Sequence, residues 1–417
     1  MINKDGNLDV NSTQIDEIEL KFNRLSSLVD QHERWRAKCL NLNAAESGIL
    51  NENVNRFLLS DLSRRAVLGT PGNRYSTGSR YIDSIEDMIQ NISKEIFSSK
   101  YSEWRALSGS VADGIVIHAL TDVMDSIIAT PTPLGHPTWH GEGYAGFRGL
   151  KITDIPYDWQ RLEVDYDKLP KVASSSKFSL AIDGSSLILF PPDFHKLTEG
   201  LGEVPLWYDG SHVMGLIATG DFPNPLHHGA IILSGSTQKT LSAPLGALIL
   251  TNKEELINRI RSTTSGDTAT PDYGRIAAIA GTLIYWQRDG SSLMRHTVDN
   301  AKALGEALTQ LGFKVLLEDR GFTSTHQLAV VTPEGVGSIQ ASKLLDSCNI
   351  ITTPFQIPDG RGGKVECFRV GTTEITRRGL KPSDMHQVAL AIDMAFKNQQ
   401  KSQGIVSEIV ESTTRDK

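Results

Sequence analysis

Apolar residues recur at helical spacing from Ile15 to about Leu42, marked by Ile18, Leu20, Phe22, Leu25, Leu28 and Val29, and predict one long helix or two shorter ones. The polar residues 1–13 before them are expected to fray. Residues 64–80 (RRAVLGTPGNRYSTGSR) are too rich in Gly, Thr and Ser for a helix interior and predict an ordered loop. Helical periodicity returns from Tyr81 to about Ser98. Between about 100 and 250 short β-rich runs alternate with loops and helical stretches: SIIAT (126–130), GLKITDI (149–155), SLILF (186–190), VPLWYD (204–209), AIILS (230–234) and GALILT (246–251). That alternation predicts an α/β domain with a largely parallel sheet. Residues 252–311 are helical again, notably over Ile276–Trp286. Residues 312–395 mix strands (KVLLE, QLAVVT, ECFRV) with helices (SIQASKLLDS, PSDMHQVALAIDMAFK), as in a smaller α+β domain. The expected division is an N-terminal arm over 1–50, a large domain over 51–300, a small domain over 301–400 and a loose polar tail over 401–417.

Composition narrows the function. The 417 residues are 39% hydrophobic and 22% charged, enough apolar material for sizeable cores, which excludes a wholly disordered chain. A formal charge of −7 without a dense Lys/Arg block argues against nucleic acid or an anionic membrane as partner. The three cysteines, Cys39, Cys348 and Cys367, lie far apart and form no CxxC, which argues against a disulfide scaffold or zinc site and suits a reducing compartment. Neither an apolar leader nor a run of about 18 apolar residues occurs, so a soluble, cytoplasmic protein is expected.

Candidate chemistry begins at Asp209, which ends a β-run. Thirty residues later Lys239 follows another β-run and the turn SGSTQ. In an open α/β sheet, ligands sit beyond the carboxyl ends of the strands, so both would face one crevice. Read singly, an Asp there is a turn former and a Lys there faces solvent. Together they suit pyridoxal phosphate, which needs a lysine for covalent attachment and an acid to keep its ring nitrogen protonated. Its phosphate needs backbone N–H groups and hydroxyls at a helix N-terminus. Ser108, Gly109 and Ser110, just before a helical apolar pattern, offer both, although such a triplet alone is more often a simple N-cap.

YDGSHVMGLIATGDFPNPL followed by SGSTQKTLSAPLGALILT resembles the cofactor-binding core of the serine hydroxymethyltransferase family. LNAAES, PGNRY, YIDSIE, LSGSVAD, LGHPTWHG and FRVGTTEITRRG follow in the family's order, so that the resemblance spans about residues 15–400. It implies a fold-type I pyridoxal-phosphate enzyme: a mainly parallel seven-stranded sheet flanked by helices, with a smaller α+β C-terminal domain. It implies a small amino acid as substrate and a homodimer or larger assembly with sites at the subunit boundary. By the same resemblance Lys239 would carry the cofactor, Asp209 would pair with its ring nitrogen, and His212 would hold its phenolic oxygen or the substrate. His136 would stack on the ring, with His140 as the alternative. Ser108, Gly109, Ser110 and Ser236 would cradle the phosphate, Gln238 stands where the family has histidine beside the lysine, and Thr270 would reach the phosphate of a partner's site. Arg369 would clamp the substrate carboxylate, a task suited to its bidentate fork, with Tyr75 and Glu46 also lining the substrate. Arg377 and Arg378 are expected to be a structural or surface pair.

Departures from the pattern are concentrated. Leu68 stands where the family has a proton-transferring glutamate, and leucine cannot move a proton. Ala66 and Ser76 replace two tyrosines, LSAPLG lacks the expected arginine, and Phe190-Pro191 replaces a Phe-Ser pair. The cofactor groups stay while groups for the one-carbon step change. A folate-independent reaction of aldolase or transaldolase type at Cα is therefore expected. The alternatives are genuine serine hydroxymethyl transfer, racemisation or decarboxylation, and a non-catalytic relative.

Overall fold

The computed structural model describes residues 12–48 and 50–415, with side chains described for residues 17–48 and 50–413. Seven strands form the central sheet: β1 (Tyr101–Glu103), β2 (Ser126–Ala129), β3 (Lys151–Asp154), β4 (Leu180–Asp183), β5 (Leu206–Asp209), β6 (Ile232–Ser236) and β7 (Ala247–Thr251). Their order is β1-β7-β6-β5-β4-β2-β3, and β7 alone runs antiparallel to its neighbours. The central strands read as unbroken apolar runs because both faces are covered. Alternate residues feed opposite faces of the sheet: Tyr208 and Leu233 pack on one face, Trp207 and Ile232 on the other.

A second core lies around a three-stranded sheet, β8 (Gln327–Val331), β9 (Thr353–Pro358) and β10 (Lys364–Gly371), in the order β8-β10-β9. One helix of 38 residues, Tyr273–Gln310, joins the two bodies. Its Ile276, Ile279 and Leu283 enter the first core, and Leu304 and Leu308 the second. Asp272 caps its start by accepting from the Arg275 N–H.

Four expectations change. SLILF (186–190) is not a strand. Its backbone is taken by groups from the second body: the Thr325 hydroxyl donates to the Ile188 carbonyl, the Thr323 hydroxyl to the Leu189 carbonyl, and Gln327 Oε1 accepts from the Ile188 N–H. The sheet strand is the preceding LAID, β4. KVLLE makes one bridge, Val315 to Val330, before turning at Leu317 with φ 56°. The tail expected to be loose is a helix, Gln399–Arg415, that buries Val406, Ile409 and Val410 in the second core. The N-terminal helix runs over Ser12–Arg36 and then gives way to a short strand, Leu40–Asn41, paired with Ile350–Ile351. Of the stretch expected to fray, residues 1–11 lie outside the described residues, and residues 12 and 13 are helical.

Candidate active site

The parallel strands β2, β4, β5 and β6 end along one edge of the sheet, and the chemistry gathers there. Asp209, the last residue of β5, is buried, and its Oδ1 accepts from the Ser211 N–H at 2.9 Å. Gly184, just after β4, has no room for a side chain: a Cβ there would come within 2.8 Å of Asp209 Cβ. Ser236 ends β6, and its N–H donates to Ser211 Oγ at 3.1 Å. Helix α1 of the site (Gly109–Leu120) starts opposite these two hydroxyls, capped by Ser108, whose Oγ accepts from the Val111 N–H at 3.3 Å. A Cβ on Gly109 would lie 2.4 Å from Ser236 Oγ and 3.4 Å from Ser211 Oγ. Hydroxyls and a helix N-terminus thus converge where only glycine fits, a cradle suited to a phosphate. Ser110 is the next residue of that first turn.

Lys239 follows β6 and is half-buried. Burial pushes its ammonium down to about 8; Arg369 lowers it further, and Asp209 and Asp113 oppose the shift. More of its amine is therefore unprotonated near neutral pH than in a free lysine, as a nucleophile requires. Arg369 lies in β10 between Ala329 and Thr353 of its neighbours. It is 4% exposed, donates through Nη1 to the Ser186 carbonyl and stacks over Phe355 at 5.5 Å, and burial lowers its guanidinium to about 10. Its Nε is buried without a partner among the described residues, as is Gln238 Oε1. Unspent polar groups of this kind fit a ligand that brings its own.

His212 is buried, and its Nδ1 accepts from Gln327 Nε2 at 3.0 Å, which leaves the proton on Nε2. Burial, then Lys239, Arg369 and His326, holds it well below the usual histidine range. His326 stacks on it at 6.2 Å. His136 lies with Thr138 and Asp113: its Nδ1 is 2.9 Å from Thr138 Oγ1, which in turn is 2.6 Å from Asp113 Oδ2. Its imidazole is lowered by burial and feels both Asp209 and Lys239. His140 instead spends Nε2 on the Thr130 carbonyl at 3.0 Å. Of the two histidines, His136 is the one that feels the charges of Asp209 and Lys239.

Glu46, Tyr75 and Thr270, the last expected at a partner's site, have these surroundings in this chain. Glu46 bonds Arg36 at 2.9 Å and Asn41 at 3.1 Å, at the end of the N-terminal helix. Tyr75 is 81% exposed, and Thr270 is exposed as well. Arg377 and Arg378 bond the Ser47 and Cys39 carbonyls, as structural residues do. Sequence reasoning missed Asp113, Thr138, Ser211, Gln327 and His326. Only Asp113 left a signal: an acid inside the apolar run VADGIVIHAL. Among the described residues no group of three His, Cys, Asp or Glu side chains could hold a metal ion, and no helix is long and apolar enough to cross a membrane.

The serine hydroxymethyltransferase family profile matches residues 19–392. A serine hydroxymethyltransferase of Methanothermobacter marburgensis is 35% identical over 94% of this chain and 94% of its own length. An alpha-methylserine aldolase of Variovorax paradoxus is 34% identical over 93% of this chain and 89% of its own. The crystal structure of L-threonine transaldolase from Pseudomonas fluorescens superposes with a TM-score of 0.87 at 24% identity, covering 96% of this chain and 93% of that one, and shares the fold.

Proposed function

The chain belongs to the serine hydroxymethyltransferase family and is a pyridoxal-phosphate-dependent enzyme of aldol-type chemistry; from that premise we propose that it cleaves or forms the Cα–Cβ bond of a small β-hydroxy-α-amino acid without folate. The observation that carries this is the loop over residues 64–80. It holds no acidic residue, and Leu68, 43% exposed, stands in place of the family's glutamate. The acids that flank it, Asp61 on one side and Asp83 and Glu86 on the other, pair with Arg65 and Arg74. The loop itself has no carboxyl to pass a proton to a pterin.

The residues present fit the cofactor. Lys239 would hold it covalently, Asp209 would face its ring nitrogen, His136 its ring, and Ser108, Gly109, Ser110, Ser236 and Gln238 its phosphate end. Bound there, the cofactor supplies a conjugated ring that accepts the electron pair released at Cα. The chain supplies the rest. Arg369 holds the substrate carboxylate through its free Nε, which sets which bond at Cα stands ready to break. Asp209 keeps a positive charge at the ring nitrogen. As the Cα–Cβ bond breaks the β-hydroxyl must lose a proton and Cα must gain one; the Lys239 amine, its value lowered by burial, would take the first and supply the second, and His212, with its proton on Nε2, would donate to a carboxylate oxygen of the substrate or to the ring oxygen.

A second copy of this chain completes the site in the proposed assembly. Ile18, Phe22, Leu25 and Val29 fall on one stripe of the N-terminal helix, each at least half exposed. Tyr75 and Thr270 face outward and would reach the neighbour's site, whereas Glu46 would act only by leaving Arg36. Three unpaired, buried cysteines support a reducing cytosol as its compartment. The test is aldehyde release from serine, threonine and α-methylserine with no pterin present. Cleavage of at least one is expected. Cleavage of none by protein loaded with cofactor would overturn the proposal.

A further inference from the structure

Asp113 lies one turn into helix α1 of the site and is 2% exposed. Around it stand Asp209 at the end of β5, Lys239 after β6, and Thr138 and His136 on the turn at 136–139. Tyr144 packs against the same helix at Gly114, and His118 and Asp267 pair at its far end, 3.8 Å apart. A second carboxyl facing Asp209 in a buried site has no use in the chemistry set out above.

Its hydrogen bonds form a chain with a limited number of protons. Thr138 Oγ1 stands 2.6 Å from Asp113 Oδ2 and 2.9 Å from His136 Nδ1, and the Thr138 backbone N–H donates to that same Nδ1 at 3.3 Å. If Asp113 were ionised, it would take the only hydroxyl proton of Thr138. His136 Nδ1 would then have to donate to Thr138 Oγ1, and its proton would meet the Thr138 N–H head on. If Asp113 keeps its proton, every contact is satisfied in one direction: carboxyl to hydroxyl, hydroxyl to Nδ1, backbone N–H to Nδ1.

We propose that Asp113 is a positioning residue that holds His136, through the Thr138 hydroxyl, as the neutral tautomer with bare Nδ1 and protonated Nε2. Burial, and next the charge of Asp209, raise the Asp113 carboxyl well above its ordinary value, in keeping with the retained proton. The consequence rests on the proposed placement of the cofactor against His136: the ring facing it is fixed in rotation and carries no charge to compete with Asp209 and Lys239.

The test is the tautomer of His136, read from long-range proton–nitrogen NMR correlations of 15N-histidine protein with and without pyridoxal phosphate, the signal being assigned by its loss in His136→Gln. At pH 7.5 the Nε2–H form is expected in both states. Asp113→Asn should keep it, because an amide N–H replaces the carboxyl O–H, and aldol cleavage should stay within about threefold of the parent. Thr138→Val should release the tautomer and lower kcat by about 10- to 100-fold, as loss of orientation does, and Thr138→Ser should restore both. An Nδ1–H or imidazolium form in the parent protein, or an unchanged tautomer in Thr138→Val, would overturn the proposal. Melting curves of each variant exclude misfolding, and Thr138→Ser controls for packing. A protein that fails to take cofactor at Lys239 would contradict the cofactor placement alone, since the tautomer is also read in cofactor-free protein.

Discussion

Gln327 Nε2 donates to His212 Nδ1 at 3.0 Å while its Oε1 accepts from the Ile188 N–H at 2.6 Å. One side chain at the start of the small sheet therefore orients a site histidine and ties residues 186–190 to the second body. It also couples the two bodies at the point where Arg369 enters from β10 and meets the Ser186 carbonyl.

Gln327→Leu keeps the bulk and removes these two bonds together with a third, from Nε2 to the Ser186 carbonyl at 3.3 Å. Each buried group left unpaired costs about 1–3 kcal/mol. The first urea transition is expected to move to lower concentration, and substrate KM to rise as His212 and Arg369 lose their frame. Unchanged midpoint and KM would contradict the role.

Lys239, lowered to about 8, fixes a pH dependence. Its folded value lies below the free-lysine value, so the penalty of burying the ammonium is present in full below about 8. It is relieved as pH rises from there toward about 10.4, the range in which the unfolded chain holds more protons. Covalent capture of pyridoxal phosphate by cofactor-free protein should accelerate up to about pH 8 and then level off. A rate still climbing toward pH 10 would show an ordinary lysine. Borohydride reduction followed by peptide mass analysis should place the pyridoxyl mass on Lys239 and on no other lysine.

Arg369→Ala should weaken amino-acid binding far more than cofactor binding. Loss of a charge-assisted carboxylate contact costs about 2–4 kcal/mol, or roughly 30- to 1,000-fold. Spectral titration of the loaded variant measures it, and an unchanged affinity would mean that another residue holds the carboxylate.

Phe22→Asp with Leu25→Asp puts two charges into the exposed stripe of the N-terminal helix. Sedimentation velocity should show a dimer or larger assembly for the parent and a monomer for the variant, with activity falling alongside. A parent that sediments as a monomer at micromolar concentration and is active would remove the partner from the site.

Much of this was legible in the residue pattern, for identifiable reasons. Asp209 and Lys239 stand in motifs whose spacing follows from strand ends, and strand ends are where a parallel sheet places ligands; Arg369, inside an antiparallel strand of the small sheet, was reached only through the family motif around it. SLILF misled because apolar β-branched runs report burial as much as pairing, and here buried hydroxyls of Thr323 and Thr325 replaced a neighbouring strand. The tail read as loose because its apolar residues are sparse, yet Val406, Ile409 and Val410 recur at helical spacing and suffice to dock it. Gln327 and Thr138 could not be found in advance: their roles come from contacts across 115 and 25 positions of the chain.

Folate independence is the claim most directly open to measurement. With serine as substrate, the rate of Cα–Cβ cleavage is compared with and without tetrahydrofolate, following formaldehyde and methylenetetrahydrofolate separately, while α-proton exchange of glycine in deuterated water reports that the loaded site is competent. Because a proton-transferring group contributes about 10²–10⁴-fold and Leu68 supplies none, glycine exchange should be clear while methylenetetrahydrofolate forms very slowly or not at all. Methylenetetrahydrofolate formed at an ordinary enzymatic rate, on the order of 1–10³ per second, would contradict the account and make the protein a folate-dependent serine hydroxymethyltransferase.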